Sequence, residues 1–308
     1  MTGPVLAVDV GGTKLAAAVV EPDGTIAAQA TVPTPVSPDA QIVAAALDNL
    51  VREVAARGPS RRLVGLGVGS AGPLDPLAGT VSPVNIGAWR DFEILDALRD
   101  VLPGRPAVLA GDGHCMALGE HWRGGYGDRS VLGIVVSTGV GGGLVIGGRV
   151  HSGGTGNAGH IGHIVIDMAG PGCACGGRGC VEALASGPMI AQWALEQGWS
   201  PGDRPADART LAADARAGDR VAVRAFQRAA RALAAGIVSA AALIDLDDVV
   251  IGGGVSGAGD VLFDPLRAAI TDLAGLAFVR RVRVHESTLG GDAGLLGAAA
   301  LALEAARA

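Results

Sequence analysis

The chain has 308 residues, 50 of them glycine, and exceeds the roughly 250–300 residues at which a single hydrophobic core stops growing, so two lobes are expected. Its net charge of -6, with no Lys/Arg run longer than the pairs Arg61-Arg62 and Arg280-Arg281, argues against a nucleic-acid surface and favours a small-molecule ligand. The opening MTGPVLAVDVGG carries no basic leader, and the longest near-apolar run, Ala232 to Ile244, is shorter than the roughly 18 residues of a membrane span, so a soluble, cytoplasmic protein is expected.

Apolar runs at 5–10 and 15–20, joined by GGTK, and a third at 25–32 after the turn signal EPDG predict an opening β-meander. A helix over 39–57, a strand over 63–69, a helix over 92–102 and a strand over 107–110 complete an alternating α/β first lobe, with the boundary near Ala110. A helix over 112–123 follows, then a second strand pair, 131–136 and 142–146, joined by STGVGGG. Beyond Glu182 the pattern is mostly helical, notably 219–244, before a strand at 248–251, the loop GGGVSGAGD, a helix, a strand at 281–285 and a last helix from Asp292. The domain reading is therefore a small α/β lobe, 1–110, joined by the C-terminal helix at about 292–308, and a large α/β lobe, 111–291.

Glycine-rich turns let a ligand approach the backbone closely, and the amides lining them form anion-binding concavities. In VDVGGTK a strand delivers Asp9 to such a turn, where Thr13 and Lys14 add donors for a phosphate; a plain glycine hairpin is the alternative for one turn taken alone. STGVGGG and IGGGVSGAG repeat the logic, and three such loops suggest a nucleotide clamped between lobes. No G-x-x-x-x-G-K-[ST] is present, and GGGVSG lacks the acidic partner of a dinucleotide fingerprint, which disfavours a P-loop enzyme and a Rossmann dehydrogenase. The cysteines are Cys115 alone and Cys173, Cys175 and Cys180 together. In a reducing compartment that clustering suggests metal more than disulfide, and His163, ten residues before Cys173, supplies a fourth ligand type; unliganded thiols remain the alternative on spacing alone.

DVGGTK, GVGSAGPLD, PVNIGAW, the GD before ALGE, STGVGGG, AGHIGH, CACGGRGCVEALASG and IGGGV together resemble the ROK family of sugar kinases and repressors, over nearly the whole chain. The resemblance implies the two-lobed actin-like ATPase fold, α/β, with nucleotide and sugar in the interlobe cleft. It also implies transfer of the γ-phosphoryl of ATP, with Mg2+, to a sugar hydroxyl, usually that on C6. By position, Asp112 would be the catalytic base, although a helix N-cap is its structural alternative. Asp9, Gly11, Gly12, Thr13 and Lys14 would face magnesium and phosphates, and Thr138, Gly139, Gly253 and Gly254 would serve the phosphate- and adenosine-side loops. The family's structural Zn2+ site maps onto His163, Cys173, Cys175 and Cys180, and its sugar contacts onto Asn85, Asp112, His160, His163 and Glu182.

Three departures bear on the sugar. His160 stands where most ROK glucokinases carry glutamate, Gly111 replaces the asparagine before the base, and His114 replaces the asparagine two residues beyond it. A neutral imidazole both donates and accepts where glutamate only accepts. AGHIGH, with STGVGGG, GCVEALASG and DAGLLGAA, is similar to bacterial N-acetylmannosamine kinases, which favours an N-acylated hexosamine; glucose, another sugar or a cyclitol are the alternatives. A sugar sensor or regulator is the competing class, although ROK repressors carry a winged helix-turn-helix ahead of the first hairpin and here DVGG begins at residue 9. The family resemblance also implies a homodimer, while the charge balance and the short apolar runs lead to no expected nucleic-acid or membrane partner.

Overall fold

The computed structural model describes residues 3–57 and 63–307; the Arg61-Arg62 pair and the expected end of the last helix at 308 lie outside the described residues. The elements run β1 (Val5–Val10), β2 (Lys14–Val20), β3 (Ile26–Pro33), α1 (Ala40–Arg57), β4 (Leu66–Ser70), β5 (Leu74–Asp75), β6 (Thr80–Val81), α2 (Ile94–Ala97), β7 (Ala107–Gly111) and α3 (Asp112–Gly124). They continue as β8 (Val131–Val136), β9 (Val140–Ile146), β10 (Arg149–Val150), α4 (Val181–Ala185), α5 (Gly187–Glu196), α6 (Ala208–Arg216), α7 (Arg220–Ile244), β11 (Asp248–Gly252), α8 (Asp260–Leu273), α9 (Ala277–Arg280), β12 (Arg283–Glu286) and α10 (Ala293–Ala305). Among the described residues no helix is long and apolar enough to cross a membrane.

One five-stranded sheet has the order β3-β2-β1-β4-β7. The meander β1-β2-β3 is antiparallel, whereas β1, β4 and β7 run parallel, with Asp9 opposite Gly69 and Ser70 opposite Gly111. The carboxyl ends of parallel strands are where an α/β sheet opens a ligand crevice. Here that register gathers Asp9, Ser70 and Gly111 at one sheet end. The other five-stranded sheet, β10-β9-β8-β11-β12, is parallel through β8, β11 and β12.

The chain divides into two compact units, Met1–Gly127 with Gly143–Gly159 and Gly291–Ala308, and Asp128–Gly142 with His160–Gly290. The first therefore runs past the expected boundary at 110. The reason is α3, which packs along α10 at glycines: a Cβ on Gly297 would stand 1.7 Å from the Cys115 carbonyl oxygen, and one on Gly119 2.1 Å from that of Ala293. Gly67 of β4 likewise admits the backbone of α10, with a Cβ position 1.9 Å from the Ala298 oxygen. The helix that begins with Asp112 thus belongs to the core of the first unit.

Several boundaries differ from the sequence reading. The helix expected over 92–102 shrinks to α2 and a 3-10 turn, Arg99–Val101, because Trp89 is fully buried and Phe92 stacks on it, with centroids 4.3 Å apart, instead of starting a helix. β12 begins two residues later than expected, since Arg281 is drawn to Asp245 and Asp247 at 2.8 and 3.1 Å. The hairpin β5-β6 was not anticipated; its signal is LDPLAG, where the Asp75 side chain accepts from the amides of Leu77 and Ala78 and Gly79 turns at φ 72°.

Candidate active site

In the first unit the candidate site is built from β1, α3 and one glycine turn. Asp9 is the penultimate residue of β1, and its carboxyl is raised to about 6, first by burial and then by the negative charge of Asp112, against the pull of Lys14. Asp112 is the first residue of α3, and Gly111 holds the N-cap position with extended backbone, so the N-cap alternative does not describe Asp112. One carboxylate oxygen of Asp112 accepts the Gly113 amide at 2.7 Å. A carboxylate in a first turn is also favourably placed toward the helix dipole. Cys115, one turn on, is fully buried, and the desolvation together with the charges of Asp9 and Asp112 raises its thiol well above the ordinary value. Nothing in the residue pattern marks Cys115 as a neighbour of both carboxylates.

The first turn is less bare than its glycines suggest, because the Gly11 amide closes it on the Lys14 carbonyl at 3.0 Å. The amides of Gly12 and Thr13 take no part in that closure. Gly12 lies directly against Asn85: a Cβ there would fall 2.5 Å from the side-chain amide nitrogen. Asn85 is exposed, yet its loop is pinned by buried Ile86 and Trp89, the latter donating its indole N–H to the Ala40 carbonyl at 3.2 Å. An exposed polar group on a rigid anchored loop suits ligand recognition. Gly294, at the start of α10, covers Asp9 closely, with a Cβ position 3.3 Å from the carboxyl carbon. The run GGDAG was the sequence signal for that contact, which the reading of the chain missed.

In the second unit the two other glycine loops meet. The Ser137 amide bonds to the Gly139 carbonyl at 2.8 Å, closing the turn that carries Thr138. Gly253 adopts φ 90° and packs on the Val136 carbonyl oxygen, 2.4 Å from where a Cβ would sit, so only glycine fits. Gly254 beside it faces open space. Glu182, in the first turn of α4, accepts the Val140 amide at 2.8 Å, and its other oxygen lies 3.9 Å from the Cys173 sulfur. That carboxylate therefore ties the 137–139 turn to the cysteine loop.

His160 and His163 share a 3-10 turn, Ile161–His163, closed by the His163 amide on the His160 carbonyl at 3.1 Å. A 3-10 turn eclipses positions i and i+3, which is why the two exposed rings stack, 6.0 Å between centroids and 17° between planes. Gly162 between them is required, since a Cβ would lie 1.9 Å from the Val140 oxygen.

The ligand atoms of His163, Cys173, Cys175 and Cys180 all lie within 4.8 Å of one another. Two of the separations, Cys175 to Cys180 at 3.8 Å and Cys173 to His163 Nδ1 at 3.9 Å, match the edge of about 3.8 Å of a tetrahedron with metal–sulfur bonds near 2.3 Å. Backbone bonds from the Cys173 amide to Gly177 and from the Gly176 amide to Cys173 shape the knuckle, and Gly176 turns at φ 89°. The thiols perturb one another: burial raises Cys173, the Gly177 amide lowers Cys175, and burial and then the neighbouring thiols push Cys180 up to about 12. A divalent cation reverses that cost by binding the thiolates. With Nδ1 of His163 turned to the cysteines, its Nε2 is on the opposite edge of the ring, available to a ligand.

The arrangement has relatives. The ROK family matches residues 5–305, and the chain belongs to that family. It is similar to N-acetylmannosamine kinase of Citrobacter koseri, 40% identical over 297 residues that cover 96% of this chain and 98% of the relative. It is similar also to glucokinase of Streptomyces coelicolor, 33% identical with 98% of each chain covered. Among solved structures, a ROK family glucokinase from Streptomyces griseus in complex with glucose and AMPPNP superposes with a TM-score of 0.83 at 34% identity, covering 98% of this chain and 100% of that one.

Proposed function

We propose that the protein is an ATP-dependent sugar kinase that transfers the γ-phosphoryl group to the 6-hydroxyl of an N-acetylhexosamine, with N-acetylmannosamine as the favoured substrate. The observation that carries the reaction is the pair Asp9 and Asp112 at the carboxyl end of a parallel sheet, beside a glycine turn with Lys14, in a member of a family that includes kinases. Phosphoryl transfer needs positioning, charge neutralisation and one base, and these residues offer each. Asp112 accepts the proton of the attacking hydroxyl. In the first unit Gly12, Thr13 and Lys14 offer donors for phosphate, and in the second unit the 138–139 and 253–254 loops offer turns for phosphate and adenosine. Asp9, whose proton affinity is raised beside a second carboxylate, fits a divalent cation, and Mg2+ bound there with ATP would neutralise phosphate charge.

Asn85, His160, the Nε2 edge of His163, and Glu182 recognise the sugar. The four-residue metal set fits a structural Zn2+, closed to water, that fixes the segment from His163 to Glu182. N-acetylmannosamine is favoured by the kinase of that name at 40% identity and by the donor-acceptor imidazole of His160. Glucose is the second reading, supported by the glucose-bound structural relative. A coupled assay over N-acetylmannosamine, N-acetylglucosamine, glucose and mannose tests both, in zinc-replete protein. The highest kcat/KM is expected for N-acetylmannosamine. A large preference for glucose would overturn the reading of His160, and no turnover with any sugar would favour a sensor over a kinase.

A further inference from the structure

The second unit has a basic cavity of about 350 Å3 at the edge strand β12, lined by Arg267, Arg280, Arg283 and His285 over an apolar floor of Ile270, Val282 and Val284. None of these residues belongs to the groups assigned to ATP, sugar or zinc. No acidic residue is among those lining the cavity, in a chain whose net charge is -6. Asp248 and Asp264 pair with cations that line the cavity. Asp248, fully buried, is held by Arg129 at 3.3 Å, by Arg283 at 3.2 Å and by His285 at 2.7 Å. Asp264 reaches Arg267 only at 3.7 Å, with both side chains exposed, which leaves that pair weak.

Arg267 and Arg280 are therefore the cations with capacity to spare. Arg267 is steadied by the Phe263 ring beneath its guanidinium, 5.4 Å from the centroid, and by a long contact to the Val284 carbonyl. Arg280 commits its Nε to the Ala274 carbonyl at 2.6 Å, which holds the arm and leaves the terminal nitrogens. Guanidinium forks bind phosphoryl oxygens in pairs, and the buried floor offers a surface for carbon. The volume suits a small ligand. The parallel register also sets the cavity apart from the nucleotide loop. Arg283 pairs with Asp248 at the start of β11, whereas Gly253 and Gly254 follow its end.

We propose that this cavity is a second ligand site, for the phosphate monoester of a small organic molecule, with the phosphoryl group on Arg267 and Arg280 and the carbon skeleton on Ile270, Val282 and Val284. Calorimetric titration of phenyl phosphate, with inorganic phosphate in parallel, tests it at constant ionic strength and saturating AMPPNP. Phenyl phosphate carries no sugar hydroxyls, so the outcome does not rest on the kinase reading. One equivalent is expected to bind wild-type protein. Affinity should fall by roughly tenfold in the double variant Arg267→Gln/Arg280→Gln, and inorganic phosphate should bind several-fold more weakly than the ester. Absence of saturable binding, or unchanged affinity in the double variant, would overturn the site; equal affinity for inorganic phosphate would overturn its assignment to an ester. If the double variant melts early, Arg267→Glu alone, at an exposed helical position, carries the same test.

Discussion

Asp112 and Asp9 are two carboxylates placed by one sheet for different work. In the proposed reaction Asp112, oriented by the Gly113 amide at the start of α3, serves as the proton acceptor and Asp9 as the cation-facing group. Asp112→Asn keeps the shape and removes the basicity. It should bind sugar with near-normal affinity while kcat falls by about 10²–10⁴, and a near-normal rate would remove Asp112 from the base role. Asp9 has a measurable signature in stability. Its folded-state value near 6 lies above the 3.8 of an ordinary aspartic acid, so the native state holds the proton more tightly than the unfolded chain. Its contribution is therefore most favourable below about pH 4 and is lost as pH rises to 6, by about 3 kcal/mol at 1.36 kcal/mol per unit. Urea melts in magnesium-free buffer should show this loss in the wild type and not in Asp9→Asn; parallel curves for the two would contradict it.

At the scale of elements, the cysteine loop and α4 act as one piece. Cys180 is the N-cap residue of α4, Glu182 lies in its first turn, and the Val181 amide bonds to the Ile164 carbonyl at 3.0 Å, so the candidate metal set and the carboxylate proposed to meet the sugar share a few residues of backbone. Cys175→Ser removes one thiol of the proposed set. Elemental analysis should find the variant depleted of zinc, with a raised KM for sugar; full zinc occupancy would refute the ligand set. The same loop shows what local sequence conveys. The spacing C-x-C-x4-C with His163 upstream pointed to the four residues that the structure brings together, because a knuckle of glycines leaves few ways to close. The stacking of His160 on His163 needed the 3-10 turn, which follows from Gly162 having to clear the Val140 backbone. No local pattern announces that approach.

For the molecule as a whole, strands and long helices were legible because their apolar periodicity is set by their own residues. The division into units was not. Its first boundary moves from 110 to Gly127 since α3 fits α10 through Gly119 and Gly297, residues almost 180 positions apart whose match appears only when both helices are built. The glycine loops were legible as turns. That Gly11 closes its own turn, that Gly12 abuts Asn85 and that Gly253 rides on Val136 are tertiary facts. The cavity at β12 was invisible as well, because Arg267 of α8, Arg280 of α9 and the residues of β12 come together only in the tertiary fold. The central claim, phosphoryl transfer from ATP to a sugar 6-hydroxyl, is tested most directly by phosphorus NMR of the product formed from ATP, Mg2+ and N-acetylmannosamine. The account predicts a growing phosphate-monoester resonance coupled to the protons on C6, matched by ADP; ADP with only inorganic phosphate, or no conversion with any of the four sugars, would contradict it.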